Sequence, residues 1–263
     1  MDLGLRNQVV LVTAGAKGIG AAISETFVLE GAHVLMTCRS QREKAEAYAD
    51  ELNQSGPGTA MIVQGDISDQ EAVKNWFDTA EEKYGEKVHI LINNAAPLQM
   101  ENREIKDMDL AFFHQQVLPG VKGLVLVSQE FLKRLVPTKE RGFIVNLGSK
   151  AGISPTSGGQ AAYAALKGAV HGMTRHLAEE ICQYHINVNE ALPGFVYNSK
   201  FREIKEKDPV CWEENYESKA RNRSYTGKFL DPYYLGTGCA FLSSEASGCC
   251  VGCALDCTGG RMV

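Results

Sequence analysis

The chain has 263 residues, 44% hydrophobic and 22% charged, which suits one large domain with a good core or two small ones. A net charge of −5 without a long basic run argues against nucleic acid or an acidic membrane as a partner. No apolar stretch approaches the ~20 residues of a membrane span and the start, Met1-Asp2-Leu3-Gly4-Leu5-Arg6, lacks signal-peptide form, so a cytoplasmic protein is expected.

Apolar runs and helical patterns alternate along the chain. Val9-Val10-Leu11-Val12 is continuous, as a strand buried on both faces should be. Gly15 to Gly20 follows, then a helical pattern to about Glu30. Val34-Leu35-Met36 predicts a second strand and Arg42 to Leu52 a charged amphipathic helix. Met61-Ile62-Val63 is a third strand, Glu71 to Tyr84 a helix, and His89-Ile90-Leu91-Ile92 a fourth strand. A long helical region covers about Asp109 to Val136, with an interruption expected at Pro119-Gly120. Phe143 to Leu147 is the fifth strand, Ala161 to Cys182 a long helix, and Ile186 to Asn189 the sixth strand. This rhythm predicts an α/β, doubly wound parallel sheet covered on both faces, in a single domain over 1–263.

One segment breaks the rhythm. From Tyr197 to Lys228 the chain is charged, with Phe201, Trp212, Tyr216 and Tyr225 among lysines and glutamates. It follows the sixth strand at its C-terminal end, where open α/β sheets bind ligands, so residues 197–228 read as a substrate lid. A surface excursion or a subunit contact is the alternative.

Two local patterns carry chemistry. Thr13-Ala14-Gly15-Ala16-Lys17-Gly18-Ile19-Gly20 joins the first strand to the first helix. Glycines there permit a tight turn and close approach to a pyrophosphate, which the helix N-terminus favours. Tyr163 and Lys167 stand four residues apart and so share a helix face. An ammonium beside a phenol lowers the phenol pKa, which is otherwise near about 10. With Ser149 as a donor, the set can protonate a carbonyl oxygen or deprotonate an alcohol in step with a second event at carbon. A solvated helix pair is the bland reading.

Taken in order, these residues resemble the short-chain dehydrogenase/reductase family over almost the whole chain. Thr13, Gly18, Ile19 and Gly20 match its glycine motif, Asp66 in Gly65-Asp66-Ile67 its aspartate near adenine, and Asn93-Asn94-Ala95 most of its Asn-Asn-Ala-Gly. Ser149, Tyr163 and Lys167 match the catalytic triad, Pro193-Gly194 the turn beside the nicotinamide, and Leu255 to Gly260 the closing strand and Gly-Gly. The resemblance implies a Rossmann-like fold, a homo-oligomer (dimer or tetramer), and hydride transfer between NAD(P) and a carbonyl or alcohol. Ser149 would bind the substrate oxygen, Tyr163 act as acid or base, and Lys167 lower the tyrosine pKa and bind the cofactor. Cofactor contacts are expected from Thr13, Gly15, Lys17, Gly18, Ile19, Gly20, Arg39, Ser40, Asp66, Ile67, Asn93, Ala95, Tyr163, Lys167, Pro193, Gly194 and Val196. Substrate contacts are expected from Pro97 and the residues to Met100, from Ser149, Ser154 and Tyr163, and from Phe195 to Tyr197.

Departures sharpen the reading. Ala14 replaces the first glycine of the motif, with Gly15 next door expected to supply the flexibility. Ala96 replaces the last glycine of Asn-Asn-Ala-Gly. Gly120 stands where many members carry an asparagine that holds a proton relay, so water beside the Pro119-Gly120 break is expected to take over. At the end of the second strand Cys38-Arg39-Ser40 replaces the acidic residue that would bind an NAD ribose. Arg39 and Lys17 can instead pair with a 2′-phosphate, so NADP(H) is the expected cofactor. Cys249, Cys250, Cys253 and Cys257 crowd together. They read as small apolar residues of a late strand rather than as a metal site, and no metal is expected. The reading is an NADPH-dependent reductase of ketones or the reverse alcohol dehydrogenase. The alternatives are an oxidative sugar or polyol dehydrogenase and a non-catalytic nucleotide-binding sensor.

Overall fold

The structure is a computed structural model that describes residues 2–96, 102–197 and 199–260. Its strands are β1 (Val9–Val12), β2 (His33–Cys38), β3 (Thr59–Gln64), β4 (Ile90–Asn93), β5 (Gly142–Leu147), β6 (Ile186–Pro193) and β7 (Ala254–Cys257). They form one seven-stranded sheet in the order β3-β2-β1-β4-β5-β6-β7, and every pairing is parallel. This is the doubly wound Rossmann-like sheet expected. The order reverses between β1 and β4, which opens a crevice at their C-terminal ends.

Helices α1 (Gly18–Leu29), α2 (Arg42–Ser55), α3 (Gln70–Tyr84), α4 (Leu110–Leu135) and α5 (Ala161–Ile181) follow the first five strands, and α9 (Tyr233–Leu242) precedes the last. Strand side chains alternate between two cores. Val10 and Val12 join Ile23 and Phe27 of α1 and Cys239 and Leu242 of α9 on one face. Val9 and Leu11 join Trp76 and Phe77 of α3, Phe131 of α4 and Leu177 of α5 on the other. Asp69 caps α3, its carboxylate accepting from the backbone N–H groups of Glu71 and Ala72.

Several expectations are corrected. The helix break at Pro119-Gly120 is absent: α4 runs unbroken with Pro119 inside it. Leu110–Thr138 is long and apolar enough by length and composition to cross a membrane, contrary to the sequence reading. Here its apolar face, including Val117, Leu124, Val127, Phe131 and Leu135, is buried. Packing against α3 and α5 accounts for that face, while Leu110, Leu118 and Val125 stay exposed. Helix α9 has no counterpart among the predicted elements because Gly236 and Gly238 dilute its apolar pattern. A Cβ on Gly236 would lie 2.1 Å from Thr26 Oγ1 and 2.9 Å from the Ala22 carbonyl, so the glycine lets α9 lie directly on α1.

The irregular segment is helical, with α6 (Ser199–Lys207), α7 (Pro209–Trp212), a π turn over Glu213–Glu217 and α8 (Ser218–Arg223). Its aromatic rings pack on one another. Trp212 stacks on Phe229 at 4.9 Å between centroids and on Tyr216 at 5.7 Å. Phe201 and Tyr197 close the cluster edge-on. A parallel bridge from Val196 to Leu230 ties the segment's two ends together.

Candidate active site

The glycine segment wraps around Thr13. Its Oγ1 donates to the Ile92 carbonyl at 3.2 Å and accepts from the Asn94 and Ala95 N–H groups, both at 2.9 Å. β1 and β4 are thereby pinned together at the crevice. Gly20 is required by the loop itself, since a Cβ there would stand 2.3 Å from the Ala14 carbonyl oxygen. Gly18 is left-handed at φ 58° and faces open space. The flexibility expected of Gly15 is taken by Ala14, which is itself left-handed at φ 52°. Gly15 is instead held by contact: a Cβ there would be 2.9 Å from Ser24 Oγ, and Ser24 donates to the Gly15 carbonyl.

A cleft of about 700 Å3 runs from this loop along β2 and β3 to α4. Lys17, Arg39, Ser40, Asp66, Ile67 and Ala95 all line it. So does Lys44, which sequence reasoning missed. On the charged face of α2 a lysine reads as solvated; Lys44 is indeed exposed, and only the helix's placement sets it at the cleft's edge. Arg39 Nη1 lies 3.7 Å from Asp66 Oδ2, an exposed pair of little worth and so free to re-pair. The Ser68 hydroxyl, donating to Asp66 at 2.7 Å, holds that carboxyl below its ordinary range, assisted by Arg39. Gln116 Oε1 is buried without a partner, and its residue lines the cleft. The cleft thus carries three cationic side chains at one end and an unpartnered acceptor within.

Ser149 and Tyr163 meet, and Lys167 stands one turn beyond Tyr163 on α5. Ser149 caps the turn after β5, where its Oγ accepts from Ala151 N–H at 3.2 Å. It hydrogen-bonds the Tyr163 side chain. Lys167 is 6% exposed and donates from Nζ to the Leu147 carbonyl at 2.6 Å. One expectation is corrected here. Burial pushes Tyr163 above the ordinary phenol value, and the opposing pull comes from Ser149 rather than from Lys167. Burial lowers Lys167 itself to about 8, with Glu190 pulling the other way.

Asn93 is buried and donates to Asn146 Oδ1 at 2.9 Å and to Ser128, so it braces the strand ends. Gly194 passes so close to Thr258 that a Cβ would meet its carbonyl oxygen at 2.5 Å, which seats the Pro193-Gly194 turn against the chain after β7. Beyond that turn Val196 bridges to Leu230, Phe195 packs edge-on against Phe229, and Tyr197 packs on Trp212. Ile19 is half-buried against the α1 core, and Ser154 is half-buried in the loop before α5. Pro97 to Met100 lie outside the described residues. A cavity of about 20 Å3 touches Gly120, Thr13, Asn93, Leu147 and Lys167. That is room for one water, at the place expected from Gly120.

The clustered cysteines are free thiols. Cys250 and Cys253 pack with Leu255 against the α1 and α9 core, and burial pushes Cys253 and Cys257 up to about 11. Purified protein is expected to carry no stoichiometric zinc or iron. Metal near one per chain, lost together with folding on chelation, would contradict this.

Comparison with known proteins bears on what the cleft does. The model of the short chain dehydrogenase family matches residues 8–209. The chain is 30% identical over 260 residues to the (2S)-[(R)-hydroxy(phenyl)methyl]succinyl-CoA dehydrogenase subunit BbsD of Thauera aromatica, covering 98% of each. It is 29% identical to the short-chain dehydrogenase/reductase FrzI of Cladobotryum sp, covering 97% of this chain and 96% of that one. Among solved structures, L-sorbose reductase of Gluconobacter frateurii, complexed with NADPH and L-sorbose, superposes with a TM-score of 0.86 at 25% identity, covering 100% of this chain and 99% of that one.

Proposed function

The chain belongs to the short-chain dehydrogenase family, an oxidoreductase family working on CH–OH and C=O groups with a nicotinamide cofactor, and from that premise we propose that it is an NADPH-dependent reductase of ketones. The observation that carries the cofactor choice is the cationic end of the cleft, where Lys17, Arg39 and Lys44 converge and no carboxylate follows β2 at Cys38. Lys17, Arg39 and Lys44 would hold the 2′-phosphate, the glycine loop the pyrophosphate, and Asp66 and Gln116 the adenine end. When bound, the cofactor supplies or accepts the hydride.

The chain's own residues handle the proton. Ser149 orients the substrate oxygen, and Tyr163 donates its proton there in reduction or removes one in oxidation. A buried tyrosine whose pKa is raised stays protonated at neutral pH, which suits the reducing direction. Lys167 restores the tyrosine's proton. The aromatic segment after Tyr197 serves as a lid over the substrate, hinged at the Val196–Leu230 bridge. Ser154, Phe195 and Tyr197 give it a mixed polar and aromatic floor for a medium-sized ketone. Likeness to L-sorbose reductase favours a second reading, a sugar or polyol substrate in the same site.

The test is NADPH consumption against a panel of ketones and ketoses, with NADH as control. Cys38→Asp is expected to disfavour NADPH by setting a carboxylate beside the phosphate. Arg39→Ala is expected to weaken NADPH relative to NADH by about 1.5–3 kcal/mol, the worth of a charged hydrogen bond. A parent enzyme that prefers NADH would refute the cofactor assignment.

A further inference from the structure

Glu190 is the one buried carboxylate among the described residues, and the chemistry above gives it no task. Its backbone is held in the middle of the sheet, opposite Asn146 of β5 on one side and Ala254 of β7 on the other. The side chain is 1% exposed and ends in two different contacts. Oε2 hydrogen-bonds Nδ1 of His171 on α5 at 2.7 Å. Oε1 reaches over Gly148, where a Cβ would stand 1.6 Å from it and 2.5 Å from the carboxyl carbon. Oε1 is buried with no hydrogen-bond partner.

Gly148 is not a glycine for the sake of its backbone, which lies outside the left-handed region. What excludes a side chain there is the carboxylate. The Gly148 N–H donates to the Ala191 carbonyl at 3.0 Å, and the next residue is Ser149. On α5, Tyr163, Lys167 and His171 follow one another at four-residue intervals and share a face. One carboxylate thus touches both the end of β5, which leads into Ser149, and the helix that carries Tyr163. An apolar side chain would fill the same space without leaving an oxygen unpaired, and buried polar atoms are seldom left so. It would not hold α5 by a directed bond.

Resting on the oxidoreductase reading above, we propose that Glu190 is a positioning residue: its carboxylate is the spacer that sets the Ser149 hydroxyl against the Tyr163 hydroxyl, one oxygen bonded to His171 and the other seated on Gly148. Such spacing matters to the chemistry, since a misplacement of about 1 Å can cost about 10²-fold in rate. The seat acts on the strand side of Ser149. On the other side the following turn meets α5 directly, because a Cβ on Gly152 would lie 2.5 Å from the Lys167 carbonyl oxygen. Ser149 is therefore bracketed by two close approaches to α5, one through backbone and one through the Glu190 side chain. The backbone approach is the rival: if it alone places Ser149, Glu190 is dispensable.

The test compares the parent with Glu190→Gln, Glu190→Leu and His171→Leu, measuring kcat, substrate KM, NADPH affinity and the urea midpoint. Glu190→Gln keeps the shape and a hydrogen bond to His171, so kcat should stay within about threefold of the parent. Glu190→Leu fills the space without the bond and should lower kcat about tenfold or more. Neither Glu190 nor His171 lines the large cleft, so NADPH affinity should hold within about twofold in every variant, the reach of a distant site. The urea midpoint of Glu190→Leu should be no lower than the parent's, because an apolar residue replacing a buried charged pair is often neutral or stabilising. A slower enzyme on an equally stable fold, restored by glutamine, is what a merely structural role would not produce. His171→Leu breaks the same bond from its partly exposed end and should slow likewise, so it decides the matter if Glu190→Leu does not fold. The double leucine variant should be no slower than the slower single one. The parent's kcat in either leucine variant would overturn the proposal and leave Ser149 to the Gly152 contact. A Glu190→Gln enzyme as slow as Glu190→Leu would also overturn it, since charge rather than spacing would then be what counts. A parent that reduces no ketone or ketose would fail the functional reading, whereas an active parent with a dead Tyr163→Phe and a normal Glu190→Leu would fail this proposal alone.

Discussion

Tyr163→Phe is expected to lower turnover by about 10²–10⁴-fold, the usual contribution of a positioned acid or base. The substitution removes one hydroxyl from a side chain held on α5 beside Ser149, so packing survives and the proton does not. NADPH affinity should stay within a few-fold, because the cations of the cleft are untouched. Ser149 keeps its hydrogen bond from Ala151 N–H, so the turn after β5 also stays in place. The measurement is kcat at saturating substrate, with cofactor binding titrated separately. A phenylalanine enzyme within a few-fold of the parent would remove Tyr163 from the chemistry.

Lys167→Met is expected to abolish most turnover, by about 10²-fold or more, and at the same time to make the protein more stable near neutral pH. Lys167 titrates near about 8 in the fold, against about 10.4 in an unfolded chain. Between those values the unfolded chain binds more protons, so stability rises with pH across that window. Below about 8 both states are protonated, and the folded chain bears the full cost of a buried ammonium. Methionine fills a similar space without that charge. At about 1.4 kcal/mol per pKa unit, the gain near pH 7 is about 1–3 kcal/mol, shrinking as pH rises toward about 10. Urea denaturation at neutral and alkaline pH measures it. A methionine variant less stable than the parent at neutral pH would show that the ammonium contributes more to the fold than it costs.

The sheet was legible because buried parallel strands must be apolar runs, and Val9 to Val12 or Phe143 to Leu147 can hardly be anything else. Tyr163 and Lys167 were legible because a four-residue spacing on a helix is local geometry. What escaped depends on distant packing. Glu190 reads as one more polar residue beside Asn187 and Asn189, while its partner His171 lies 19 residues away and the glycine that admits it lies on another strand. Lys44 faces the cleft only because α2 is rotated that way. The helix break at Pro119 failed because α4 continues through the missing hydrogen bond, packed against its neighbouring helices and the sheet. The strain at Ala14 was hidden because the sequence offers a glycine next door and gives no sign of which residue turns.

The aromatic packing of the proposed lid also gives the protein an optical probe. The chain has two tryptophans, both buried but on different elements. Trp76 is 1% exposed in the α3 core, donates to the Gln64 carbonyl and packs against Gly65 of the cleft wall, so its emission must be removed to isolate the segment. Trp212 sits in the segment itself, stacked between Tyr216 and Phe229 with Lys205 at 5.7 Å over its ring. Any motion that opens this stack changes the quenching of Trp212 alone. In a Trp76→Phe background, the intrinsic fluorescence of the unlabelled enzyme would then report closure over a substrate in real time, before a single turnover is complete.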